Sequence, residues 1–247
     1  EGSYSNYNDY VVELDKTLPF GNGPWVNATV GSSDINKTYQ YRVTHTPSGN
    51  RCWGDIKIED KIAPTVTCAS ITLFCPITNY TPGALSSLGI ASANPTVVDC
   101  DATTVTYVDT WHDLSCGQGF NGVPDLSAYV ERKWTVVDAS GNTTVCIQYL
   151  YFKRLHIPDL SVPPANVTVS CTNGNTDPSA TGVPFVTAFG RNWGLYPNVG
   201  FCELQIVYVD QELPVCDGTY KIVRVWTILD GCVGASASNP FYYTQVI

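Results

Sequence analysis

Asp55-Ile-Lys-Ile-Glu-Asp60 alternates apolar and charged residues, and Thr38-Tyr-Gln-Tyr-Arg-Val-Thr44 alternates around aromatics. The stretches 103–109 and 206–210 are rich in Val, Thr and Tyr. A period of two carried by β-branched and aromatic residues is the mark of strands. Turn signals fall between these runs: Pro47-Ser-Gly-Asn50, Thr81-Pro-Gly83, Gly117-Gln-Gly119, and the Asn-Gly and Asp-Gly pairs at 121–122, 173–174, 217–218 and 230–231. Helical character is confined to 82–91, which Gly83 and Gly89 interrupt. The pattern predicts an all-β chain of short strands, arranged as sandwiches.

The strands repeat. Residues 131–142 read ERKWTVVDASGN and residues 223–234 read VRVWTILDGCVG, so that Arg132, Trp134 and Asp138 return as Arg224, Trp226 and Asp230. Ile71 to Cys75 is matched by Val167 to Cys171, Tyr107-Val-Asp109 by Tyr208-Val-Asp210, and Cys116 by Cys216. A period of roughly 95 residues is the size of one Ig-like sandwich. Ser48-Gly-Asn50 and Cys52 parallel Ser140-Gly-Asn142 and Cys146, and Pro-containing junctions follow at Pro64 and Pro158. The expected modules are therefore 1–62, short or incomplete, then 63–157 and 158–247. On a strand, Arg132, Trp134 and Val136 share one face, so each Trp should anchor a core, with the Arg stem along the indole and cation-π support. Asp138 and Asp230 then turn the chain, with Gly141 free to take positive φ.

Composition narrows the function. The 247 residues carry a net charge of -9 and a pI near 4.6, which disfavours nucleic acid and anionic membrane surfaces as partners. No apolar stretch approaches a membrane span, so direct membrane insertion is not expected. The sequence starts at Glu1 and has no Met and no basic region followed by an apolar run, so a secretion signal is expected to be already removed or outside this segment. Ten Cys without CxxC pairs point to an extracellular, disulfide-bonded chain.

Candidate chemistry is sparse. His45, His112 and His156 are the only histidines, none beside a G-x-S-x-G sequence. His112, between Asp109 and Asp113, is the most suggestive of them, but with no further catalytic partners in the sequence it reads as a loop residue on a hairpin. Glu59-Asp60 is a candidate for structural calcium at a junction, although no D-x-D-x-D-G loop occurs. Sequons stand at Asn27, Asn36, Asn79, Asn142 and Asn166. Tyr4, Tyr7, Tyr10 and Phe241-Tyr-Tyr243 are expected either to face cores or to form a surface for glycan stacking or subunit packing. No constellation calls for an enzyme or a cofactor.

The segment Cys52-Trp-Gly-Asp-Ile-Lys-Ile-Glu-Asp-Lys-Ile-Ala-Pro-Thr-Val-Thr-Cys68 resembles the junction between repeats in very large surface adhesins of Bacteroidota, including the gliding-motility adhesins. The W-T-x-x-D-x-x-G-N signature resembles the HYR-like variant of the Ig fold. The resemblance implies a disulfide-stapled, cell-surface repeat protein exported by the type 9 system. Its partners would be neighbouring modules or copies, or surface polysaccharide. It also implies a bond from Cys68 to Cys146, and the last module lacks both equivalents, Ala165 lying at or beside the first. On the same footing Cys100 would pair with Cys116, Cys202 with Cys216 and Cys171 with Cys232, leaving Cys52 and Cys75 unassigned. Ten cysteines leave other connectivities open. The expected function is a non-enzymatic structural or adhesive segment of a surface adhesin or fibre. The alternatives are a filament subunit assembled by strand complementation and glycan-binding accessory modules of a secreted enzyme.

Overall fold

The computed structural model describes residues 6–161, 164–170, 174–197, 203–216 and 219–247. Tyr4, Cys171 and Cys202 lie outside them. The chain folds as two compact units, one of Glu1–Thr67, Thr96–Thr106 and Thr135–Cys146, the other of Cys68–Pro95, Tyr107–Trp134 and Ile147–Ile247. It is all-β, with strands arranged in sheets and only two short α-helices among the described residues.

In the first unit, β1 (Tyr10–Asp15), β2 (Trp25–Asn27), β3 (Thr38–His45) and β4 (Arg51–Lys57) form an antiparallel sheet in the order β2-β1-β3-β4. The alternation read in 38–44 becomes β3, paired to β1 from Gln40 opposite Asp15 to His45 opposite Tyr10. Between residues 6 and 62, Leu14 and Tyr39 are the only buried large apolar side chains, while Val11, Val12, Val26, Trp53 and Ile56 are exposed. Charge and hydrogen bonds compensate for this thin core. Buried Asp15 accepts the backbone N–H groups of Thr17, Gly21 and Gly23 at 2.8–3.0 Å. Arg42 donates twice to Glu13 over the ring of Trp25. Further on, β5 (Thr65–Thr67) pairs with β7 (Thr96–Val98).

A sheet in the order β6-β10-β9-β8 follows, made of β6 (Ile71–Phe74), β8 (Thr103–Asp113), β9 (Leu126–Asp138) and β10 (Thr143–Lys153). β6 runs parallel to β10. The helix expected over 82–91 is α1 (Pro82–Ser87), capped by the Thr81 hydroxyl and opened by a Pro whose missing N–H costs nothing there. In the last repeat α2 (Pro178–Thr181) precedes the hairpin of β11 (Phe185–Ala188) and β12 (Arg191–Gly194). A sheet β13-β14-β15 completes it, with β13 (Leu204–Cys216), β14 (Thr219–Asp230) and β15 (Phe241–Val246). Residues 167–170, matched in sequence to β6, form no strand, although the Val167 amide donates to the Val246 carbonyl.

The even-numbered residues of β9 are all buried, and so are those of β14 from Ile222 to Asp230, so each strand has one core face. Two clusters result. One joins Ile71, Leu73, Leu85, Val130, Leu150 and Phe152; the other joins Leu155, Val186, Leu195, Leu204, Trp226 and Ile228. Trp193 packs against both.

The cysteines correct the expected pairing. Cys116 bonds Cys232, so neither pairs with Cys100 or Cys171. Their Cα atoms are 5.2 Å apart across 116 residues, inside the range a disulfide requires. Cys100 is an exposed thiol that donates to the Asp60 carboxylate at 3.1 Å, and Cys216 is an exposed thiol at the end of β13, so no bond to Cys202 forms. Cys52 is likewise free and exposed. Cys68, Cys75 and Cys146 are each disulfide-bonded, so Cys75 is not left over.

Candidate functional site

The repeated signature builds the same buried network twice. Arg132 is fully buried, and it grips Asp109 through Nε and Nη2 at 2.7 and 2.8 Å and donates to the Tyr80 carbonyl. Arg224 grips Asp210 at 2.7 Å through the same two nitrogens and donates to the Thr176 carbonyl. Trp134 donates its indole N–H to Gln148, whose amide reaches the Ala69 and Ser92 carbonyls. Trp226 donates to Gln245, whose amide reaches Ala165 and Thr181. Each tryptophan is therefore a core anchor with its polar edge satisfied. The cation-π partner differs in emphasis from the expectation. Each guanidinium lies closest to a tyrosine, Tyr107 at 4.6 Å and Tyr208 at 4.4 Å, and only then to its tryptophan at 5.7–5.8 Å. Asp210, Gln148 and Gln245 carry no functional signal in the sequence beyond the Tyr-Val-Asp landmark that contains Asp210, and Asp109 stands out there only as a neighbour of His112.

The signature's last residue has a further task. Asp138 is buried and accepts the Asn142 amide N–H and side chain at 2.8 Å, and Asn142 in turn donates to the carbonyls of Asp60 and Ile62. The turn aspartate thus holds the Asp60–Ile62 segment through Asn142. Burial acts to raise the Asp138 carboxyl, but the hydrogen bonds from Asn142, Ser140 and Gly141 outweigh it, leaving the group below its ordinary value. Asp230 does the same work by other means. It accepts the Cys232 amide on one oxygen, and its other oxygen sits 2.6 Å from Nδ1 of His156, in the segment that follows β10.

His156 is the centre of this second junction. Its Nε2 lies 2.6 Å from Asp125, so both ring nitrogens face carboxylates. Burial pulls the imidazole down, but hydrogen bonds and charge from Asp230 and Asp125 raise it further, and the net shift is upward. Beside it, fully buried Arg154 pairs with Glu203 and donates to the carbonyls of Leu114 and Leu126. The 115–125 loop and the Gly231–Cys232 turn are joined by the Cys116–Cys232 disulfide. From the other side, the β11-β12 hairpin presents Phe189 to Phe74, and Arg191 donates to the Ser87 carbonyl. A cavity of about 470 Å³ opens here, lined by Asp125, Lys153, His156, Asp159, Asp230 and Asn239. In its protonated form the imidazole donates from both nitrogens and has no lone pair for a metal or for proton abstraction, so that form acts as a brace between the two carboxylates.

The other candidates resolve differently. His112 stacks on Tyr129 at 4.5 Å, while its two expected partners are engaged elsewhere, Asp109 by Arg132 and Asp113 by the Trp111 indole. Asp60, Asp99 and Cys100 bring ligand atoms within 4.8 Å of one another. That set does not suit calcium, which takes six to eight oxygens. Glu59 is ion-paired to Lys57 and Lys61, which hold its carboxyl at about 2, and the Asp60 oxygens accept the Ile62 amide and the Cys100 thiol. Of the sequons, Asn142 is excluded as a glycan site because its amide holds Asp138 and the linker, whereas Asn27, Asn36, Asn79 and Asn166 are exposed. Tyr7 and Tyr242 point to solvent and not into a core.

No family model matches the chain, and no curated protein matches it in sequence. Solved structures with loosely similar backbones include human CDH23 EC21-23, at a TM-score of 0.28 and 12% identity over 96% of this chain and 88% of that one. Another is the protocadherin GammaB4 extracellular domain, at a TM-score of 0.23 and 12% identity, covering 96% of this chain and 45% of that one. Superpositions this loose define neither a family nor a function.

Proposed function

We propose that the chain is a non-enzymatic, extracellular structural segment of a bacterial surface adhesin or fibre, a strut of Ig-like modules that supports attachment or gliding. The modules are 1–62, 63–157 and 158–247, and the HYR-like junction sequence at 52–68 supports export by the type 9 system. The observation that carries the reading is the second junction. There an ion-paired histidine, a buried arginine, a disulfide and an aromatic plug all cross between the last repeat and the preceding strands. A catalytic or sugar-binding accessory region has no need of a linker locked by four independent devices, whereas a strut that transmits force does. Small-angle scattering and negative-stain images of the purified chain test it. One fixed bend at the second junction is expected; a broad spread of angles there would sink the reading.

A second reading, a filament subunit completed by a neighbour's strand, draws on the first sheet. It buries only two large apolar side chains and leaves Trp53 and Ile56 exposed on β4, an edge strand. Long fibres in micrographs at high concentration would favour it.

A further inference from the structure

We propose that the outer face of the β13-β14-β15 sheet is a docking surface for a second copy of this chain. Strand register defines the face. Val207, Val209 and Leu213 of β13 stand opposite Thr227, Val225 and Lys221 of β14, and Thr227 stands opposite Tyr242 of β15. Val209 is 69% exposed and Tyr242 63%, and Val207, Leu213, Val225 and Leu229 are exposed as well. Lys221 is the only charge on this face among the described residues.

The matching face of the preceding repeat shows what is missing. There the twelve residues between β8 and β9 fold back, laying Phe120 parallel to Tyr129 at 3.9 Å with His112 on the other side of that ring. In the last repeat only two residues separate β13 from β14, too few to cover anything. The positions matching Glu131 and Lys133 are Val223 and Val225, so charges have given way to β-branched apolar residues where the cover is lost.

Charge and area point to the occupant. The chain carries -9 overall, so two copies repel except where carboxylates are absent, and the described residues of this face carry none. These six apolar side chains are exposed on three adjacent strands with Gln205, Gln211 and Thr244 around them, a patch of the kind that marks a protein contact, and a standard interface takes ~800 Å² per partner. A sheet face also packs best on another sheet face with its strands aligned, which a two-fold copy supplies. The inference deepens the proposed strut by naming how copies meet. It is tested separately from junction stiffness, since a stiff monomer would defeat this inference alone and a flexible dimer would defeat the strut alone.

The test is sedimentation equilibrium of the thiol-alkylated chain, alkylation preventing cross-links through Cys52, Cys100 and Cys216. Mass is expected to rise from 26.9 kDa toward twice that value across the micromolar range. The double variant V223E/V225K, which copies the preceding repeat, should stay at the monomer mass with unchanged circular dichroism. Val209→Lys, at the most exposed position, should weaken association at least tenfold even if the double variant folds poorly. A wild-type chain that remains monomeric to high micromolar concentration overturns the proposal, as does undiminished association of both variants. Wild-type monomers that bind a neutral polysaccharide through this face would also overturn it and assign the face to a glycan.

Discussion

At the level of single residues, the doubled signature is a buried ion pair and a buried indole, each locked by partners on neighbouring strands. Replacing Trp134 or Trp226 by Ala should cost about 3–5 kcal/mol of stability in denaturant melts, because it opens a cavity and orphans the side-chain oxygen of a buried glutamine. A loss below ~1 kcal/mol, the range of ordinary surface changes, would place the indole outside the core. For the ion pair the asymmetry of exposure decides. Arg224 is 1% exposed, and Arg224→Ala strips the Asp210 carboxylate and the Thr181 hydroxyl of their arginine donors and leaves the Thr176 carbonyl only the long contact from Thr181, so a loss of about 3–5 kcal/mol is expected. Asp210→Asn keeps the cation's other acceptors and half-exposed surroundings, so its loss should be clearly smaller; equal losses would show the pair is not organised around the arginine. The tryptophans could be read as core from alternation alone. Their arginines' partners could not, because Asp210 meets Arg224 only through the register of a hairpin, which the pattern of one strand does not state.

Among the elements, alternation was enough to place β3 and the core faces of β9 and β14, and Val, Thr and Tyr content was enough to place β8 and β13. Pattern failed at residues 167–170, where β-branched residues form no strand, and at the β11-β12 hairpin. That hairpin turns through Phe189 at φ +52, a conformation in which a bulky residue is rarely found and which no turn rule suggests. The linker residue His156 was legible only as part of a Pro-containing boundary, because its two carboxylate partners come from 31 and 74 residues away. Its titration gives a prediction with a definite sign. The folded imidazole has a raised pKa, so its stabilisation is complete below the unfolded value near 6.5 and is lost as pH rises through the higher folded value. The charged groups facing the imidazole are Asp125, Asp230 and Asp159, with Lys153 lining the same cavity and the Arg154–Glu203 pair beside it. Thermal melts should therefore show the last repeat weakening as pH climbs above the unfolded value near 6.5, and the trend should vanish in His156→Ala. A variant that keeps the same slope would assign the pH effect to another group.

For the molecule as a whole, the repeat period was legible because the two copies keep their core strand and turn, while the staples between copies were not. A disulfide inside one module closes a short loop whose ends alternation can place; Cys116–Cys232 instead joins a loop of one repeat to a turn of the next. Ser140 occupies the position in the first copy that Cys232 takes in the second, so the bond belongs to the pair of repeats and to neither alone. This bond is where the strut reading is most open to refutation. It spans 116 residues, and cross-linking so long a segment restricts the unfolded chain by about 4–5 kcal/mol in the loop-entropy account. Strain or residual structure would lower that figure, so the C116S/C232S variant should lose about 3–5 kcal/mol in chemical denaturation. The loss should appear in the transition that also reports the Phe189 and Trp193 contacts, followed by tryptophan fluorescence, since one cooperative block must unfold together. If the variant lost less than ~1 kcal/mol, or if the last repeat melted apart from the preceding strands with the bond intact, the two repeats would be beads on a tether and the braced junction would carry no load.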